Sequence, residues 1–173
     1  MLGVSKHRTL SSSKELPKLS GNLDNQTEHV RLLATAFRKA IERALEADEL
    51  YRTVIASFPS GCCGYTSDLL RKYLAAKGIA TRYVSGTYRN YSTNDTQSHA
   101  WLELTDGTIV DITGDQFRNK PYPLRNDCSV YCGKPNKFYK LFELAPPCHC
   151  EDTCSVDIER KEKLAYDIIC KYL

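Results

Sequence analysis

Residues 61–86 read GCCGYTSDLLRKYLAAKGIATRYVSG, and the spacing of their apolar side chains changes once along the stretch. Over 63–77 these side chains recur every three or four residues, which is typical of the buried face of a helix. Gly78 is a natural residue just after a helix, because glycine adopts the left-handed conformation common there. Residues 79–88 are rich in β-branched and aromatic residues, which favours a strand. The sequence therefore predicts a helix followed directly by a strand.

A second stretch, residues 99–113, reads HAWLELTDGTIVDIT and has the pattern of a β-hairpin. Two apolar runs flank an Asp-Gly pair at 106–107, which is a strong signal for a two-residue hairpin turn. With that turn, Asp111 pairs with Leu102, and His99 points to the opposite face of the sheet. Contact between His99 and Asp111 then requires a bulge, a wider sheet or a longer turn that shifts the register.

Helices are predicted before and after these strands. The further predicted elements are a helix that begins near Asp24 or Asn25 and ends near 45, a short helix over 49–57, an irregular stretch over 114–135, a strand over 138–144, and a helix capped by Ser155 that ends near 169. Helices first, then strands, then a closing helix indicate an α+β fold with an antiparallel sheet. We expect a single domain over 23–173 and a flexible basic leader over 1–22.

Composition and charge exclude several classes of function. The chain has 173 residues, of which 42% are hydrophobic and 26% charged, an ordinary balance for one globular domain. No apolar run approaches the roughly 20 residues of a membrane helix, so we expect no membrane partner. The net charge of +3 lies in the leader, and a neutral body argues against nucleic-acid binding. No secretory signal is recognisable, which favours the cytoplasm, and nothing indicates an oligomeric state.

Three residues have the types and positions of a thiol active site. Cys63 follows the break Pro59-Ser60-Gly61 and begins the predicted helix, whose free N–H groups lower the pKa of a thiol. A neighbouring imidazole lowers it further, and His99 begins the first strand of the hairpin. Asp111 lies toward the end of the second strand. Cys62 is the obvious rival nucleophile, although it more naturally fills a neighbouring buried site.

Both stretches resemble the core of the transglutaminase-like superfamily, which is related to papain-type cysteine peptidases. The first stretch has the superfamily's pattern of Gly-x-Cys, a helix and a glycine-bounded strand, carried here by Gly61, Cys63, Gly78, Ile79, Arg82, Tyr83, Val84 and Gly86. The second has its His-Ala-Trp strand and its Asp-x-Thr, at 99–101 and 111–113. The resemblance covers roughly residues 58–117 and implies an α+β domain whose nucleophile begins a helix packed on an antiparallel sheet.

The resemblance also implies roles for the matched residues. Cys63 is expected to be the nucleophile, His99 its base and later the acid, and Asp111 the residue that orients the imidazole. The N–H of Cys63 is expected to bind the oxyanion, and Gln116 is a second candidate donor by analogy with a papain-type glutamine. Trp101 is either a core residue or a platform for substrate. No cofactor is required for this chemistry.

The C-terminal third carries a cysteine-rich segment over 128–154. Its thiols are Cys128, Cys132, Cys148, Cys150 and Cys154, with His149 among them. They allow three interpretations: a structural zinc site, reduced thiols, or disulfides if the protein is exported. The zinc interpretation is weakened by spacings that differ from those of a zinc ribbon.

The expected function is a thiol-dependent hydrolase of a peptide or amide bond that acts on a protein or peptide through an acyl-enzyme thioester. A transglutaminase or a protein-glutamine deamidase would use the same triad, because only the acceptor differs. The alternative from another class is a non-catalytic module that binds a partner protein, with or without zinc, through its cysteine-rich segment.

Overall fold

The structure is a computed structural model that describes residues 20–146 and 156–173. Its helices are α1 (Ser20–Glu46), α2 (Cys63–Ala76) and α3 (Val156–Cys170), and its strands are β1 (Thr81–Asn90), β2 (Asp95–Leu104), β3 (Ile109–Asp111), β4 (Tyr131–Gly133) and β5 (Glu143–Leu144). Two short 3₁₀ helices span Gly114–Phe117 and Tyr139–Leu141. The predicted α+β fold with an antiparallel sheet and a closing helix is confirmed.

The described strands form one antiparallel sheet in the order β4-β3-β2-β1-β5. Because side chains alternate along a strand, the sheet has two buried faces. Leu102 and Leu104 face a cluster that includes residues of α1, α2 and α3, whereas Trp101 and Val84 face a smaller, mainly aromatic cluster. Strand β2, which carries His99, is therefore packed against a hydrophobic cluster on each of its two faces.

The turn of the β2–β3 hairpin is one residue longer than the Asp-Gly pair predicts. The N–H of Leu104 donates to the carbonyl of Thr108, which leaves three residues, 105–107, in the turn. Gly107 adopts a φ of 77°, the left-handed conformation that such a three-residue turn commonly requires. Leu102 consequently pairs with Val110 rather than with Asp111. The predicted register was wrong by one residue.

This shift changes the face on which Asp111 lies. Continued by one residue, the observed register sets Asp111 beside Trp101, and His99 lies two residues from Trp101 on the same face of β2. A longer turn that shifts the register is one of the three arrangements by which, from the sequence, we expect His99 and Asp111 to make contact. The hairpin itself therefore brings these two side chains together.

Several predicted boundaries differ from the structure. Residues 49–57 form successive turns rather than a helix, although Leu50 and Ile55 are fully buried. Within the predicted strand over 138–144, residues Tyr139–Leu141 form the second 3₁₀ helix, and only the last two residues pair with β1. The first helix begins at Ser20, inside the segment predicted as leader.

The closing helix α3 is confirmed, whereas its predicted cap, Ser155, lies outside the described residues. Within the described part of the chain, no helix combines the length and the apolar character needed to cross a membrane.

Candidate active site

Cys63 is the first residue of α2 and is partly buried. The preceding residue, Cys62, makes no side-chain hydrogen bond to the helix end. The N–H groups of the first turn therefore have no side-chain cap from that position, and they carry the positive end of the helix dipole. Cys62 itself is 2% exposed, and its sulfur accepts a hydrogen bond from the Thr66 hydroxyl. Of the two adjacent thiols, Cys63 is the accessible one.

His99 and Asp111 form a buried pair. The Nε2 atom of His99 lies 2.8 Å from Oδ2 of Asp111, and the two residues are 1% and 2% exposed. Since a carboxylate can only accept, Nε2 carries the proton in this contact. The other ring nitrogen, Nδ1, is not engaged by Asp111.

The charges of the site shift the pKa values of all three residues. Burial alone would lower the pKa of His99, but the charge and hydrogen bond of Asp111, aided by Cys63, raise it to about 9. Burial would raise the pKa of Cys63, but His99, the N–H of Ala100 and the side chain of Gln116 together lower it. Burial likewise opposes ionisation of Asp111, yet His99 and other donors hold its pKa below the usual range. The site therefore favours a thiolate beside an imidazolium.

Asp111 is held by further donors that the sequence did not indicate. The backbone N–H and the hydroxyl of Thr113 donate to Oδ1 at 2.8 and 3.1 Å, and the hydroxyl of Tyr139 donates to Oδ2 at 3.0 Å. Burial and the adjacent carboxylate raise the pKa of Tyr139 strongly, so the phenol remains a donor. Tyr139 lies 28 residues from Asp111 in the sequence, and no motif connects the two.

Gln116 lies next to the imidazole. Its Nε2 atom is 2.8 Å from Nδ1 of His99, and its Oε1 accepts a hydrogen bond from the N–H of Gly61 at 3.4 Å. Because the N–H of Gly61 can only donate, the amide oxygen faces Gly61 and the amide nitrogen faces the ring. Gln116 therefore connects the segment before the nucleophile to the base, which is a position compatible with the predicted oxyanion donor.

An aromatic shell surrounds the His99 ring. The rings of Trp101, Phe117, Phe138 and Phe142 have centroids 5.1–5.9 Å from it. Trp101 is 1% exposed, which favours the interpretation as a core residue over the role as a platform for substrate. Such a shell keeps water from the imidazole–carboxylate pair and strengthens the interaction between its charges.

Only part of the cysteine-rich segment is described. The Cys128 sulfur donates to the carbonyl of Val130, and the Cys132 sulfur donates to the carbonyl of Thr27. Burial raises the pKa of both thiols, that of Cys132 to about 11. Among the described residues, no group of three or more His, Cys, Asp or Glu side chains is placed to hold a metal ion. Cys148, Cys150 and Cys154 lie outside the described residues, so zinc binding stays a prediction.

Comparison with known families agrees with the fold. The model of the transglutaminase-like superfamily matches residues 16–114, more than half of the chain, and the protein belongs to this superfamily. Its members are often cysteine-dependent hydrolases or transferases. No curated protein and no solved structure was found to match the chain.

Proposed function

We propose that the protein is a thiol-dependent hydrolase of a peptide or amide bond, with Cys63 as nucleophile, His99 as acid and base, and Asp111 as the residue that orients the imidazole. The observation that carries the proposal is the buried 2.8 Å contact between His99 and Asp111, beside a thiol whose pKa is lowered at a helix start. Membership of a superfamily rich in cysteine enzymes supports it.

In the first half of the reaction, the Cys63 thiolate attacks the carbonyl carbon of the scissile amide. The oxygen becomes negatively charged, and the N–H of Cys63 at the start of α2 lies next to the attacking sulfur, where it can donate to that oxygen. The imidazolium of His99 then gives its Nδ1 proton to the leaving amine. The amine departs and a thioester remains on Cys63.

In the second half, water replaces the amine. His99 takes a proton from the water as the water oxygen attacks the thioester carbonyl, and the thiolate is expelled with a carboxylic acid as product. Asp111 remains ionised throughout and stabilises the imidazolium through the bond to Nε2. The same thioester could instead be transferred to an amine, or be formed from a glutamine side chain and hydrolysed, as in a transglutaminase or a deamidase.

Gln116 has a proposed role that follows from its amide. While His99 is neutral at Nδ1, the Gln116 N–H group donates to that nitrogen. When Nδ1 accepts the thiol proton, it can no longer accept a hydrogen bond, and the amide nitrogen is released. The released N–H group is then available to the oxyanion. Formation of the nucleophile would in this way free a second oxyanion donor.

The experiment that tests the proposal is capture of the acyl-enzyme from an activated acetyl ester, followed by peptide mapping with mass spectrometry. Cys63→Ala and Cys62→Ala are matched variants, since they remove neighbouring thiols of different exposure. We expect one acetyl group on Cys63 in the wild type and in Cys62→Ala, and release of acetate with time. Unselective acetylation of several cysteines, or equal labelling in His99→Ala, would contradict the proposal.

Added amine distinguishes the variants of this chemistry. Hydrolysis predicts that acetate remains the main product when a primary amine is supplied, whereas acyl transfer predicts the acetyl amide.

The proposed reaction needs a reduced Cys63, which fits the expected cytoplasmic location. A non-catalytic binding module predicts no acyl-enzyme, and zinc that is lost when Cys148 and Cys150 are substituted.

A further inference from the structure

We propose that Arg38, in α1 and outside both motifs, is a positioning residue that joins the segment before Cys63 to the loop after Asp111. This inference rests on the proposed function, because it assigns to Arg38 the alignment of that same site. Arg38 is 7% exposed, which is rare for a charged side chain unless its donors are satisfied.

Each of the three guanidinium nitrogens of Arg38 donates to at least one acceptor. Its Nη1 and Nη2 atoms bind the two carboxylate oxygens of Asp115 at 2.8 and 2.9 Å. Nη1 also donates to the carbonyls of Ile112 and Ser129 at 2.7 and 2.9 Å, and Nε donates to Glu42 at 2.8 Å. This bidentate geometry matches the planar fork of arginine, and a lysine cannot reproduce it.

Two of these acceptors are sequence neighbours of site residues. Ile112 directly follows Asp111, and Asp115 directly precedes Gln116. The loop that carries both partners of His99 is therefore attached to α1 at two points. Its remaining anchor in the sheet is short, because β3 has three residues and ends at Asp111.

The segment that leads to Cys63 also contacts the guanidinium of Arg38. The guanidinium carbon of Arg38 lies 5.0 Å from the centre of the Phe58 ring, a cation–π contact. Phe58 belongs to the turn that leads into α2, five residues before Cys63. A single side chain of α1 therefore contacts both of the segments that must meet at the active site.

The contribution of Arg38 is alignment rather than charge. Asp115 carries the charge opposite to that of the guanidinium and forms a buried ion pair with it, so this pair has no net charge. The pKa of Cys63 is lowered by His99 and Gln116, and hydrogen bonds of this kind weaken steeply with distance and angle. If the loop over 112–116 shifts, the thiol loses Gln116, and His99 loses its contact with Gln116 and its alignment on Asp111, which directly precedes the loop.

The test uses two variants of Arg38. Arg38→Lys keeps the charge and loses the fork, whereas Arg38→Met combined with Asp115→Asn removes both buried charges, a replacement that proteins often tolerate. Arg82→Met is the matched control, because Arg82 makes an exposed ion pair with Glu103 on the sheet. The readout is the rate of Cys63 alkylation by iodoacetamide as a function of pH, measured by peptide mapping, with circular dichroism to establish folding.

We expect both Arg38 variants to fold and to show a midpoint of Cys63 alkylation at higher pH. The alkylation rate at neutral pH should fall on the order of tenfold for each pH unit by which the midpoint rises. Arg82→Met should keep the wild-type profile. A wild-type profile in either folded Arg38 variant would overturn the inference. Failure of both variants to fold would also overturn it, because Arg38 would then be a folding residue.

The reactivity of Cys63 in the wild type distinguishes failure of this inference from failure of the proposed function. If Cys63 of the wild type is no more reactive than an ordinary thiol, the proposed function fails. If wild-type Cys63 is activated and the Arg38 variants match it, only the inference about Arg38 fails.

Discussion

Replacement of Asp111 by asparagine removes one charge from the site and keeps the size of the side chain. Asp111 accepts two hydrogen bonds on each carboxylate oxygen, from His99 and Tyr139 on one side and from Thr113 on the other. In Asp111→Asn, the NH₂ group faces either the backbone N–H of Thr113, which can only donate, or the ring of His99. If it faces His99, the ring is driven into the tautomer with its proton on Nδ1, which cannot accept the thiol proton.

The size of the effect follows from the pKa of His99. Asp111 is the main group that raises this pKa from 6.5 to about 9, while burial acts to lower it. Without the carboxylate we expect the pKa to fall by at least about 2.5, which is equivalent to about 3 kcal/mol. The equilibrium between the neutral pair and the thiolate–imidazolium pair then shifts by a few hundredfold, and the alkylation rate of Cys63 at neutral pH should fall by on the order of 100-fold.

The assay is alkylation of Cys63 by limiting iodoacetamide over about pH 5 to about pH 10, a range that spans the ordinary pKa values of histidine and cysteine. Peptide mapping follows Cys63 against the remaining cysteines, and circular dichroism verifies that Asp111→Asn is folded. We expect the midpoint for Cys63 to move to higher pH. An unchanged rate and midpoint in a folded variant would refute the role given to Asp111.

Three further predictions concern the surroundings of the same pair. Tyr139→Phe removes one donor from Asp111 and should lower the free energy of unfolding by about 1.5–3 kcal/mol, measured in urea, while Cys63 remains reactive because the His99–Asp111 contact is intact. Gly86→Ala would place a Cβ 2.8 Å from the Cβ of Phe142 and 3.1 Å from a backbone oxygen of β5, so we expect a loss of about 1–3 kcal/mol in the same assay. In Cys63→Ala, Asp111 still raises the pKa of His99, but the contribution of Cys63 is gone and the pKa lies below its wild-type value of about 9. The paired His99 therefore stabilises the fold fully below about pH 6.5, and this contribution should be lost as the pH rises above that value and before it reaches about 9.

Each of these predictions has an outcome that would contradict it. Loss of Cys63 alkylation in a folded Tyr139→Phe protein would show that the hydrogen bond from the phenol to Asp111, and not the His99–Asp111 contact alone, is needed to activate Cys63. Gly133→Ala is the control for Gly86, because its nearest contact is the far end of the Tyr131 side chain at 3.3 Å, and equal destabilisation of the two would argue against the steric explanation. A free energy of unfolding that does not decrease over the stated pH range would contradict the pairing of His99 with Asp111.

The parts of the fold that depend on local pattern could be predicted from the sequence. The helix that starts at Cys63 and the strand after Gly78 follow from a change of apolar spacing, and both occur in the structure. The register of the hairpin could not be predicted, because a two-residue and a three-residue turn both suit an Asp-Gly pair. That single residue decides which face Asp111 occupies.

The supporting residues of the site could not be predicted for a different reason. Tyr139 and Arg38 lie 28 and 77 residues from the acids that they contact. Neither belongs to a motif, and each looks like an ordinary member of an apolar or charged run. Contacts over such distances are set by packing of the whole domain, so local sequence carries no signal for them. Gln116 is indicated by the resemblance and not by any local pattern of the sequence.

The most direct test of the central claim is the pH dependence of thiolate absorbance, measured as the difference between the wild type and Cys63→Ala. We predict that the difference signal appears at a pH below the ordinary thiol pKa of about 8.5, and that it moves to higher pH in a His99→Ala background. A difference signal that appears at or above about pH 8.5 in the wild type would contradict the activated Cys63 on which the account depends.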